Sequence, residues 1–137
     1  MRRRPGRVLV IDDERAIGNA LGRVISMQHQ VEVVAEARAA LARLFEGDRF
    51  DVILCDLRMP AMDGIEFHEV LTMSMPEEAA RIVFMTGGTL SPRAEAFFAQ
   101  VSNTLVDKPL DVEGLLALID RRIAGTDRDS IRVGAAS

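Results

Sequence analysis

Val8-Leu9-Val10-Ile11-Asp12-Asp13-Glu14 is the stretch on which the fold turns. Its first four residues are apolar without alternation, so a strand built from them has both faces covered, as in the middle of a parallel sheet flanked by helices. The acidic pair that follows falls at the carboxyl end of that strand. In open α/β sheets this edge is where ligands bind.

Working outward, short apolar runs alternate with longer stretches of helical period, the pattern of βα units. Residues 14 to about 27 carry a stripe of Ile17, Ala20, Leu21, Val24 and Ile25, interrupted by Gly18 and Gly22, which close packing would explain. Residues 31–35 form a weaker strand, and 37–46 a helix closed by Gly47. Residues 50–55 are the clearest strand after the first, and Asp56 stands where it stops. Pro60 and Asp63-Gly64 punctuate a loop before a helix holding Ile65, Phe67, His68 and Leu71, and Pro76 marks a break. Residues 82–85 make a fourth strand ending at Thr86-Gly87-Gly88. Ser91-Pro92 starts a helix leading into 94–100. A short strand at 105–106 runs into Asp107-Lys108-Pro109, and Asp111 caps a last helix ending near 124.

Composition narrows the function classes. The 137 residues are 48% hydrophobic, enough for one core, and the net charge of −4 gives no electrostatic reason to bind a nucleic-acid backbone. No run approaches the ~20 apolar residues of a membrane span. Cys55 is the only cysteine, so an internal disulfide is impossible and a reducing cytoplasm fits. His29 and His68 have no neighbouring ligand or nucleophile in the pattern and read as structural. Residues 1–6 read as an arm or linker and 125–137 as a flexible tail, around one domain at 7–124.

Asp12 and Asp13, Asp56, Thr86 and Lys108 thus close four different strands and should converge in one cleft. Crowded carboxylates repel one another unless a cation neutralises them. Oxygen ligands with room for water and phosphate suit Mg2+. An ammonium and a hydroxyl beside them complete a phosphoryl-transfer site, with Asp56 the best nucleophile because an ionised carboxylate needs no general base.

The segments Val-Leu-Val-Ile-Asp-Asp-Glu at 8–14, Asp-Leu-Arg-Met-Pro-Ala-Met-Asp-Gly at 56–64, Met-Thr-Gly-Gly at 85–88 and Lys-Pro at 108–109 resemble response-regulator receiver domains. The resemblance covers roughly 7–124. It implies a doubly wound, flavodoxin-like α/β fold with a five-stranded parallel sheet in the order 2-1-3-4-5. It also implies that Asp56 is the phosphoacceptor for a histidine kinase or histidine phosphotransfer protein. Asp13 would ligate Mg2+ directly, Asp12 mainly through water, and the Arg58 backbone carbonyl would be a further ligand alongside Asp56. Thr86 and Lys108 would contact the phosphoryl group, and Lys108-Pro109 would be a cis peptide. Positions 58 and 88 flank the phosphoryl group in the family and influence its lifetime. Met-Thr-Gly-Gly and Val-Asp-Lys-Pro-Leu are also similar to receivers attached to hybrid sensor kinases.

One position departs from the family pattern. Receivers usually carry an aromatic residue three positions before the lysine, and here that residue is Leu105. The expected function is a signalling switch that modifies itself slowly rather than an enzyme with turnover, and weak homodimerisation is open. The alternative is a receiver-like interaction module that is never phosphorylated. A magnesium-dependent phosphohydrolase is disfavoured, because Asp56 is followed by Leu57 and Arg58 with no carboxylate two positions on.

Overall fold

The computed structural model describes residues 5–125. The tail expected beyond 125 and residues 1–4 of the arm lie outside the described residues. Five strands, β1 (Arg7–Ile11), β2 (Gln30–Val34), β3 (Val52–Asp56), β4 (Ile82–Thr86) and β5 (Leu105–Asp107), form one parallel sheet in the order β2-β1-β3-β4-β5. Between and after them run helices α1 (Arg15–Ile25), α2 (Ala37–Phe45), α3 (Gly64–Ser74), α4 (Pro76–Ala79), α5 (Pro92–Phe98) and α6 (Val112–Ala124).

The alternation of side chains across each strand divides the core into two layers. Val8, Val10, Val52, Leu54, Val83 and Met85 pack with Leu21 and Ile25 of α1 and with Leu115, Leu118 and Ile119 of α6. Leu9, Ile11, Ile53, Cys55 and Phe84 point the other way, onto Ala40 and Leu44 of α2 and Phe67 and Leu71 of α3. β3 and β4 are buried along their whole length, which is why these strands read as unbroken apolar runs. Burial of each large side chain such as Phe67 or Phe84 contributes about 1.5–3 kcal/mol. By contrast β2 is half-exposed at the sheet edge, matching its weaker sequence signal.

Local chemistry fixes the element ends. Gly18 and Gly22 lie against Val33, whose methyl carbons would stand 3.0 and 2.9 Å from a Cβ added there, so α1 packs close on β2 and a side chain at either position would have to displace Val33. Ser91 accepts the Ala94 N–H, as its position before Pro92 suggests. Asp63 makes a full capping box with Glu66 at the start of α3. Replacing Asp63 by alanine is expected to cost about 1 kcal/mol, read as a lower urea midpoint with an unchanged slope.

Pro76 marks the break after α3, as expected, and opens the short α4, where its missing N–H is harmless. The helix expected to start at Ser91-Pro92 does begin at Pro92 but ends at Phe98, short of residue 100. Asp111 stands at the N-cap of α6 but its side chain bonds no helix N–H; its carboxylate lies over Gly114 instead. Both histidines are built into the scaffold. His29 accepts the Gly6 N–H at Nδ1 (3.0 Å) and meets Asp120 through Nε2 (2.8 Å), while buried His68 packs edge-on to Phe97.

Candidate functional site

The parallel register brings the four strand ends level with one another. Ile11 pairs with Cys55, Asp56 with Met85, and Thr86 with Asp107, so the residues just after each of these strands surround one cleft. The Lys108 N–H donates to the Thr86 carbonyl (2.7 Å) and the Leu57 N–H to that of Met85 (2.8 Å), which carries the ladder past the strand ends and fixes the loops. The Lys108-Pro109 peptide is cis. The cleft is open and encloses about 330 Å³, with Asp13, Asp56, Arg58, Thr86 and Lys108 in its walls.

Its geometry is governed by one cation among carboxylates. Lys108 Nζ lies 3.1 Å from Asp12 Oδ2 and 3.4 Å from Asp56 Oδ1, with Glu14 Oε1 at 3.9 Å. Asp12 is itself held by the Glu14 backbone N–H, which donates to its other oxygen at 2.9 Å. One carboxylate oxygen from each of Asp12, Asp13 and Asp56 falls within 4.8 Å of the others. Asp12 and Asp56 are buried, whereas Asp13 is exposed at the mouth.

The energetic consequence is read in the protonation equilibria. Burial pushes the Asp56 carboxyl up to about 6; Lys108 pulls against that, and the negative charges of Asp12 and Asp13 add to it. Burial also works against the Lys108 ammonium, but its hydrogen bond to Asp12 and the charge of Asp56 outweigh that and hold it above the ordinary lysine value. A site in which a single lysine faces three carboxylates is short of positive charge. Its donors are all hard oxygens, close enough together to share one ion, so the residues present fit Mg2+.

Every site residue expected from the sequence therefore lies at this edge: Asp12, Asp13, Asp56, Arg58, Thr86, Lys108 and Pro109. Two further features were not assigned from the sequence. Glu14 contributes a third carboxylate close to Lys108, at 3.9 Å, after Asp12 and Asp56, and its place directly after the acidic pair was the available signal. The Arg58 side chain, beyond its backbone, donates to the Thr89 carbonyl at 3.0 Å, on the exposed surface. Cys55, one residue from Asp56, is fully buried, and burial raises its thiol well above the usual range, so it is no competing nucleophile.

Leu105 is half-buried and pairs in register with Phe84. The aromatic rings near it belong to other elements. Phe84 meets Phe97 and Phe98 edge to face at 5.5 and 5.3 Å between centroids.

Comparison with known proteins gives a consistent result. The family model described as the response regulator receiver domain matches residues 8–120. The response regulator MprA of Mycolicibacterium vanbaalenii is 32% identical over 126 residues, which are 91% of this chain and 53% of that protein. The DNA-binding transcriptional regulator NtrC of Proteus hauseri is 29% identical over 118 residues, 86% of this chain and 24% of the relative. The chain thus spans about half the length of the first relative and about a quarter of the second. Among solved structures, the chemotaxis protein CheY4 of Vibrio cholerae superposes with a TM-score of 0.72 at 32% identity, covering 85% of this chain and 98% of that one. A receiver domain of a signal transduction histidine kinase from Syntrophus aciditrophicus gives a TM-score of 0.72 at 25% identity, over 93% and 98%.

Proposed function

The chain belongs to the response regulator receiver family, and from that premise we propose that it is a phosphoacceptor switch in which Asp56 takes a phosphoryl group from a histidine kinase or a histidine phosphotransfer protein. The receiver unit is assigned to residues 7–124. The observation that carries the reading is Lys108 held between Asp12 and Asp56, with Asp13 close enough to complete an oxygen cluster.

The chemistry follows from the charges. A nucleophilic carboxylate must be ionised, and with a pKa of about 6 Asp56 is mostly so at neutral pH even with no metal bound. Its oxygen attacks phosphorus in line, a new O–P bond forms, and the P–N bond to the donor imidazole breaks with its electrons leaving on nitrogen. Lys108 balances charge on the phosphoryl oxygens, and the Thr86 hydroxyl donates a hydrogen bond to one of them. Asp12, Asp13, Asp56 and the Arg58 carbonyl would hold Mg2+, which when bound offsets the negative charge of carboxylates and phosphoryl group alike. Two positions after Asp56 stands Arg58 rather than a carboxylate that could serve as the acid of a hydrolase, so the acyl phosphate is read as a signal rather than as an enzyme intermediate.

The test is direct. Incubated with acetyl phosphate and Mg2+, the chain is expected to gain the mass of one phosphoryl group, the label mapping to the peptide that contains Asp56. Omitting Mg2+ should slow the reaction greatly, and Asp56→Asn should not react. Absence of the adduct, or its survival in Asp56→Asn, would return the interaction-module reading to the front.

A further inference from the structure

His29 lies at the opposite end of β1 from the acidic cleft, and the phosphoryl chemistry above makes no use of it. Its imidazole is nearly closed off from solvent and is bonded at both nitrogens. Nδ1 lies 3.0 Å from the Gly6 nitrogen, which can only donate, so Nδ1 carries no proton. Nε2 lies 2.8 Å from Asp120 Oδ1, so the single ring proton sits there and is donated to the carboxylate. The neutral Nε2–H form is the one these contacts accept.

The ring joins separate parts of the chain. Gly6, the residue just before β1, is buried against it and against Ile123 of α6, into whose side chain a Cβ at Gly6 would run. Asp120 lies one turn earlier on that same helix. The Gly6 carbonyl in turn accepts the Gln30 N–H at 2.9 Å. A second anchor follows one residue on. The Arg7 N–H donates to Asp51 Oδ2 (2.9 Å), and the Arg7 guanidinium donates to the Arg49 carbonyl (2.9 Å) and lies 4.7 Å from the centre of the Phe50 ring.

Imidazole changes charge between about pH 5 and 8, and a second proton would set the two sides of this ring against each other. Nδ1–H would face the Gly6 N–H donor to donor. A buried amide without an acceptor is unfavourable, so Gly6 has to move out to water. The Nε2–H bond to Asp120 becomes charge-assisted and tightens. The surrounding charges favour that outcome. Asp120 of α6 touches the ring, and Asp51, from the segment before β3, stands beside Gly6. The Arg122 guanidinium of α6 is turned to Thr104, and that of Arg7 to Arg49.

We infer that His29 is a proton-operated clip on the N-terminal entry of the domain: neutral, it ties Gly6 to α6; protonated, it lets Gly6 go and keeps Asp120. The release is local, because Arg7 stays held by Asp51, Arg49 and Phe50. It is also independent of the phosphoacceptor reading, since the five residues of β1, roughly 17 Å of extended chain, separate Gly6 from Asp12.

The experiment is amide hydrogen exchange followed by NMR on the whole chain from about pH 8 to about pH 5, each rate taken relative to the intrinsic rate at that pH. Gly6 and Gln30 are expected to lose protection roughly tenfold, the strength of one hydrogen bond, with the midpoint at which the His29 ring signals titrate. The Arg7 amide should keep its protection. His29→Asn retains an acceptor near the Nδ1 position and takes up no proton in this range, so its Gly6 protection should not change with pH. Asp120→Asn still accepts the Nε2–H but removes the charge that favours the second proton, so the release should move to lower pH. Asp56→Asn, which deletes the titrating carboxyl of the cleft, should leave the release where it is. The inference is overturned if Gly6 protection stays level while the His29 ring titrates, or if the ring does not titrate in this range. It is equally overturned if Asp120→Asn leaves the midpoint unmoved, if Asp56→Asn abolishes the release, or if Gly6 and Arg7 lose protection together, the sign of a loosening of the whole fold. Should His29→Asn fail to fold, the parent and Asp120→Asn decide the matter without it.

Discussion

Asp56→Asn is expected to unfold at a higher denaturant concentration than the parent when both are kept free of metal at pH 7, by about 2 kcal/mol. In the fold the Asp56 carboxyl titrates near 6, against an ordinary value of 3.8. Between those values the native chain binds the proton more tightly than the unfolded chain, so stability falls as pH rises through the window and stays low above it. Each unit corresponds to about 1.4 kcal/mol, and part of the full shift is discounted because the mouth of the site is open to water. Asparagine removes the charge and with it the penalty. The gain should therefore vanish below about pH 4, where the parent is protonated in both states. Saturating Mg2+ should shrink or reverse it, because the ion binds only the folded parent carboxylates and stabilises them by mass action. Since the chain contains neither tryptophan nor tyrosine, circular dichroism is the suitable signal. A parent and variant equally stable at pH 7 without metal would mean that the acidic cluster is not under electrostatic stress.

The strand ends were legible because a strand buried on both faces has to be apolar throughout, and the first polar residue then marks where the sheet opens to solvent. Val52 to Cys55 followed by Asp56, and Ile82 to Met85 followed by Thr86, are that signal in its plainest form. The receiver motifs gave the order of the strands. Less could be read wherever the partner is distant in sequence and weakly specified. Arg58 meets Thr89 only because the loop after β3 comes to lie beside the loop after β4. The edge-to-face rings of Phe84, Phe97 and Phe98 come from a strand and a helix whose apolar residues do not announce which neighbour they will meet. Asp111 had the sequence of a capping residue, yet its carboxylate lies beside Gly114 and makes no cap hydrogen bond. Leu105 shows the same limit from the other direction. Its departure from the family pattern is evident in the sequence, but that it lies opposite Phe84, beside a set of rings supplied by α5, follows only from the register.

Gly64→Ala is expected to be among the most damaging single-carbon changes in the chain, lowering stability by roughly 1–3 kcal/mol and slowing phosphorylation of Asp56 together. Gly64 is buried at the first position of α3, and its φ is not positive, so the requirement for glycine is one of space rather than of backbone conformation. A Cβ there would stand 2.9 Å from the Asp56 carbonyl oxygen, 3.2 Å from the Leu57 Cα and 3.3 Å from Cδ1 of Phe84. Two of these three neighbours are backbone, and the third belongs to a ring held in the core by Phe97 and Phe98, so none can swing aside as the tip of a flexible side chain could. Relief has to come from moving the start of α3 away from the end of β3. That displacement strains the hydrogen bond from the Gly64 N–H to the Leu57 carbonyl (3.0 Å) and turns the peptide that carries the Asp56 side chain. Because attack on phosphorus is sensitive to alignment, the rate of adduct formation with acetyl phosphate should fall by more than the loss of folded protein explains. The comparison that isolates this is Asp63→Ala, one residue away, which weakens the same helix end through its cap while leaving the Asp56 carbonyl uncrowded. Equal losses of rate in the two variants at matched stability would argue that α3 acts on the site only through overall folding, whereas a larger loss in Gly64→Ala assigns the contact with the Asp56 carbonyl a direct part in aiming the nucleophile.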